Sequence, residues 1–143
     1  MISLENIQSM WSEDSKINID DLHNESLKVA SLHSKYYEIY NNISLLRKRA
    51  EVQYNHKRLE RYNFYAGKAS PDVYKEEPFP YKVRDKEGMQ RHIEADEKLS
   101  EMFMKIEYYD IILKYLEEII KMISNRTYQI KNSIDFLRFQ SGM

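Results

Sequence analysis

The chain contains no cysteine. Disulfides, thiolate-held metals and a cysteine nucleophile are therefore excluded, and the fold must stand on packing. Glycine and proline are scarce, three of each in 143 residues, which disfavours a turn-rich β architecture and favours long uninterrupted elements. No apolar run approaches the roughly 18 residues that a membrane span needs. The opening MISLENIQSMWSED lacks a basic flank followed by an apolar core, so no secretory signal is expected and the setting reads as reducing and intracellular. The four histidines, His23, His33, His56 and His92, are scattered, with no pair at the helical i, i+4 spacing of a zinc site. Neither GxxxxGK[ST] nor GxGxxG occurs, so no nucleotide cradle is expected. Glu76–Glu77 and Glu117–Glu118 read as ordinary charge patterning. The sequence thus points to no catalytic site, no metal and no cofactor, and the chain reads as a non-enzyme.

What is present is charge and aromatic surface. Charged residues make up 31 % and mean hydropathy is -0.73, as in a soluble protein, yet 42 % hydrophobic residues with 12 tyrosines are too many for a disordered chain. The net charge of -1 hides a division along the chain. Residues 1–46 hold three Lys/Arg against seven Asp/Glu, whereas residues 47–68 hold seven against two. The remaining segments are nearly balanced.

A mainly α fold follows from the periodicity. Ser3 is placed to cap a short amphipathic helix carrying Ile7, Met10 and Trp11, and Asn18 or Asp20 to cap the next. Leu22, Val29, Leu32, Tyr36, Ile39, Ile43, Leu46 and Ala50 recur mostly at steps of three and four, with a bend expected near Ala30–Ser31. This helical run should reach Tyr65 and stop at Gly67. All three prolines and two of the three glycines fall within 67–88, so that segment reads as a non-helical connection between two helical parts, 1–66 and 89–143, of one domain. In the second part Leu99, Met102, Ile106, Tyr109, Leu113, Leu116, Ile120, Ile123, Thr127, Ile130, Ile134 and Leu137 hold one phase for five heptads. A seam of that length predicts self-association through its apolar members. The alternative is packing on the earlier helix within one chain.

Arg47, Tyr54, Arg58, Arg61 and Tyr65 fall on one helix face over roughly 30 Å, flanked by Lys48, Arg49, Lys57, Tyr62 and Lys68. Cations for phosphates and flat rings for unpaired bases suit single-stranded nucleic acid, with no sequence code required. The competing reading is a solvated face, or a surface for an acidic protein partner. Phe64 either offers a further stacking face or packs in the core.

SLHSKYYEIYNN, RLERYNFYAGK, EPFPYKVRDKEGMQR, EYYDIILKYLEEI and NRTYQIKNSIDFLRFQSG together resemble the UvsY-like recombination mediators of T-even-like phages, in the form carried by marine phages, over about Leu4 to Gly142. That resemblance implies a small, mostly helical, non-enzymatic protein forming a ring-shaped homo-oligomer, a hexamer or heptamer, through its C-terminal region. It implies binding to single-stranded DNA and loading of the phage recombinase (UvsX-like) onto strands coated by the phage single-strand-binding protein. Recombination, replication and repair in the cytoplasm of the infected bacterium would be its setting. The family's basic motif, Leu-Lys-Ala-Arg-Leu before Tyr-Ser-Gly, sets Arg61 on its arginine when Tyr65-Ala66-Gly67 is taken as the tripeptide. Leu59 then falls on the motif's lysine, a departure that Lys57 and Arg58 stand close enough to compensate.

Overall fold

A computed structural model describes residues 3–142, and every regular element among them is helical. In order these are α1 (Leu4–Asp14), a 3₁₀ turn (Ile19–Asp21), α2 (Leu22–Leu27), α3 (Val29–Tyr65), α4 (Pro71–Glu76), α5 (Lys86–Ala95) and α6 (Glu97–Gln140). The two long helices contain no glycine or proline, so nothing in their backbones interrupts the hydrogen-bond ladder. The chain packs as two compact units, the described part of Met1–Ser44 with Ile111–Met143, and Leu45–Asp110.

In the first unit Ser3 caps α1, its hydroxyl accepting from the Asn6 N–H at 3.2 Å. Ile7 is buried and Trp11 meets Tyr36 edge-on at 5.5 Å. The far end of α1 is held by charge. Asp14 accepts from Lys35 at 2.6 Å and from the Tyr36 hydroxyl at 2.8 Å, and the Arg126 guanidinium donates to the Asp14 and Lys16 carbonyls at 2.9 and 3.3 Å. Carbonyls at a helix end have no partner within the helix, so this arginine caps α1 from α6. Asn18 caps the 3₁₀ turn through the Asp20 N–H. The expected bend comes slightly earlier, at Lys28 between α2 and α3.

The seam of α6 requires correction. Leu99, Ile106, Tyr109, Leu116, Ile123 and Ile130 are buried within the single chain, so these residues are core and not free to meet another copy. Met102, Leu113 and Ile120 are half-buried, and only Ile134 and Leu137 of the expected interface are exposed. The inward row also takes Ile112, Ile119 and Arg126 where Leu113, Ile120 and Thr127 were expected. Both rows share every seventh residue, and apolar side chains flank the line on either side, so spacing alone does not choose between them.

In the second unit α3 stops because Gly67 takes φ +77°. The Lys68 N–H then bonds the Asn63 carbonyl at 2.8 Å and the Gly67 N–H the Phe64 carbonyl at 3.2 Å, a Schellman closure. The 67–88 segment is not wholly without helix. Pro71 stands in the first turn of α4, where its missing N–H costs nothing, while residues 67–70 and 77–85, the latter holding Pro78 and Pro80, stay non-helical. The Val83 N–H pins that stretch to the Tyr65 carbonyl at 2.9 Å. The core joins Phe64, Tyr65, Met89, Ile93 and Leu99, with Tyr54, Tyr74, Phe79 and Val83 packed against it. Asp85 caps α5 on the Gly88 N–H at 2.8 Å, and Asp96 caps α6 on the Leu99 N–H at 3.0 Å.

Candidate nucleic-acid interface

All of the basic segment 47–68 lies in the second unit. Along α3 its side chains divide between the inside and the surface. Arg61, the residue expected to lead in contacting phosphate, is buried, its side chain retaining 5 % exposure. Its Nε donates to Asp96 at 2.6 Å, and its two terminal nitrogens to Glu77 at 2.7 and 3.0 Å. The guanidinium also lies 4.2 Å from the Phe64 ring centroid. Its charge is spent within the chain, so its assignment as a surface phosphate contact is corrected. Tyr65 is likewise buried, its hydroxyl donating to Asp96 at 2.6 Å, and Phe64 is core. Neither offers a face for a base.

Ionisation follows this geometry. Burial works against the Arg61 charge, but hydrogen bonds with Glu77, Tyr65 and Asp96 outweigh it and push its pKa further up. Burial alone would raise the Asp96 carboxyl, whereas Tyr65, the Leu99 amide and Arg61 together hold it below the usual range. The hydrogen bond from Arg61 lowers Glu77 as well.

Two other cations of the segment are also engaged. Arg47 bridges Asp110 and Glu51, and Lys57, half-buried, pairs with Glu60 at 3.0 Å. Lys48, Arg49, Arg58 and Lys68 remain exposed and make no ion pair among the described residues. Tyr62 is 45 % exposed. The stripe inferred at helical spacing is thus mainly the inward line of α3, with Arg58 its one exposed member and Lys48, Arg49 and Lys68 outside it. A period cannot distinguish a line that faces solvent from one that faces a neighbouring carboxylate.

Tyr54, Arg58 and Tyr62, at i, i+4 and i+8, form one wall of an open groove of about 990 Å³. The segment Val83–Lys86 and the adjoining side chains of α5 and α6 complete it. Arg84 and Lys86 are exposed on that side, and Phe103 of α6 packs against Tyr54 with ring centroids 5.9 Å apart. These three residues were missed in the sequence. Arg84 and Lys86 sit in a segment whose total charge is balanced, and Phe103 lies off the heptad row. The only local signal for the two cations is the run YKVRDK, cationic at alternate positions after the prolines. Among the described residues no cluster of side chains is suited to hold a metal ion, and no helix is long and apolar enough to cross a membrane.

Residues 10–143 match the family model described as "Recombination, repair and ssDNA binding protein UvsY". The chain is 23 % identical over 139 residues to the recombination protein uvsY of Enterobacteria phage T4, covering 97 % of this chain and 98 % of that protein. Two crystal forms of the bacteriophage T4 recombination mediator protein UvsY superpose with TM-scores of 0.86 and 0.85, each at 22 % identity. They cover 96 % and 99 % of this chain and 99 % of the phage protein in each case. At that identity the superpositions establish the all-α fold.

Proposed function

Because the chain belongs to the UvsY family of recombination, repair and single-stranded-DNA-binding proteins, we propose that it is a recombination mediator whose second unit holds single-stranded DNA. Phosphates would meet Arg58, with Tyr62 an open ring one turn away, and Lys48, Arg49 and Lys68 are further exposed cations of the same segment. The observation that carries this reading is the exposed Arg58, without a carboxylate partner among the described residues, one turn of α3 from the exposed ring of Tyr62. The mediator would load a recombinase onto strands coated by single-strand-binding protein, in the cytoplasm of an infected bacterium. Contacts with those two proteins would use other surfaces. Nucleotide hydrolysis would belong to the recombinase, since this sequence has no phosphate loop.

Self-assembly into a ring would multiply the modest charge of each copy into one continuous track. The end of α6 is suited to that role, because Ile134, Phe136, Leu137 and Phe139 are exposed there on successive turns. A second reading, a helical adaptor binding an acidic protein partner, draws on the carboxylate pairing already seen at Arg47, Lys57 and Arg61.

Fluorescence anisotropy of a labelled single-stranded oligonucleotide, titrated at several salt concentrations with duplex as competitor, separates the two. The mediator reading expects single-strand preference and a log–log salt slope of about 0.7 per phosphate neutralised. Absence of binding at low salt would leave the adaptor.

A further inference from the structure

The groove of the second unit differs in chemistry between its base and its edges. Met89, Ile93 and Leu99 are buried and form its floor, while Arg58, Arg84 and Lys86 are exposed at its edges. None of these three cations makes an ion pair among the described residues. The two carboxylates that line the groove are already occupied. Asp85 accepts the Gly88 N–H at 2.8 Å, and Glu94 accepts from the Gln90 side chain at 3.0 Å. Those hydrogen bonds hold both carboxylates in place without removing their charge, so three cations face two carboxylates and the edge keeps a net charge of one positive unit above an apolar interior. Phe103, 47 % exposed, presents an open ring to that interior beside Tyr54.

We propose that this groove receives unstacked bases of the bound strand, with its phosphates held at the edge by Arg58, Arg84 and Lys86 and its bases turned inward onto Phe103 and the apolar floor. This rests on the single-strand-binding reading above and adds to it a direction for the strand's faces and a second wall for its site. The occupant follows from complementarity. A single strand carries an anion at every nucleotide on one side and a flat, mostly apolar group on the other, which matches the groove's two zones. An acidic peptide supplies the charge without a regular row of flat groups. At about 990 Å³ the groove lies at the upper end of the range of roughly 300–1,000 Å³ for ligand sites, so more than one base fits.

The test compares two labelled strands of equal length and equal phosphate number, one of thymidines and one of abasic spacers, with the full chain at matched salt. The thymidine strand should bind at least about tenfold more tightly, the equivalent of one stacked base at about 1.4 kcal/mol, with the same salt slope for both. Phe103→Ala should remove most of that difference by weakening only the thymidine strand. Tyr62→Ala provides a second variant at an exposed ring outside the core should Phe103→Ala prove unstable. Equal affinity for the two strands would overturn the proposal while leaving backbone binding intact, and would mean a groove kept for protein. Failure of both strands to bind would overturn the DNA reading and this inference together.

Discussion

Arg61 brings a full charge into the interior, and the interior answers it with two carboxylates, a tyrosine hydroxyl and an aromatic face. Removing the arginine leaves the buried Asp96 carboxylate without a cation, held only by Tyr65 and the Leu99 N–H, and loss of one partner of a buried pair typically costs about 3–5 kcal/mol. Arg61→Ala should therefore lower the chemical-denaturation midpoint of the protein markedly, and any loss of DNA binding should track unfolding. Arg58→Ala should do the reverse, leaving the midpoint within about 0.5 kcal/mol of the parent and reducing the salt slope by about 0.7. The pH dependence has a definite sign. Asp96 and Glu77 are both held below their unfolded values, so their contribution is complete above roughly pH 5 and is lost as pH falls through the folded values. Thermal melts from pH 6 to pH 3 should show that fall in the parent, and a shallower one in Asp96→Asn, which no longer has that carboxylate to protonate. None of this pairing was legible in the sequence. Arg61 stands 16 residues from Glu77 and 35 from Asp96, and no local pattern announces a partner at such a separation.

Elements were more legible than residues, because their ends are written locally. Ser3, Asn18 and Gly67 each perform the capping or stop role that their residue type suggests, through a hydroxyl, an amide oxygen and a positive φ. The stop at Gly67 is testable. Gly67→Ala would place a Cβ 2.8 Å from the Lys82 stem in a left-handed backbone, a conformation costing an L-residue about 1–2 kcal/mol. Its urea midpoint should drop accordingly. The α4 helix is not legible because three prolines within ten residues disfavour helix by composition, whereas Pro71 sits where the first turn needs no N–H. The heptad row of α6 was read in the right period but slightly rotated, since isoleucines on both sides of the line satisfy either choice. Charge settled what apolar spacing left open, as Arg126 is drawn inward by the carbonyls at the end of α1.

At the scale of the whole molecule, the charge asymmetry of the sequence largely dissolves into local pairing. Leu45–Asp110 contains fourteen Lys/Arg and thirteen Asp/Glu, so that unit is nearly neutral, and what distinguishes it is which cations are left unpaired. Assembly belongs to this scale too. A chain ending at Lys131 lacks the exposed Ile134, Phe136, Leu137 and Phe139 but keeps every buried residue of α6. Under the proposed self-assembly, sedimentation should find this shortened chain in a smaller species than the parent, with an unchanged far-ultraviolet spectrum per helical residue. Its DNA affinity should fall through lost multivalency. The irregular stretch between α4 and α5 has a further consequence. Exposed around Lys82 and Arg84 and tied down by few backbone bonds, it is the natural first target of trypsin in an otherwise helical chain. A strand lying across the groove would shield Arg84, so the rate of nicking there, followed by mass spectrometry with and without oligonucleotide, is a footprint of the bound strand on a protein with no substitutions.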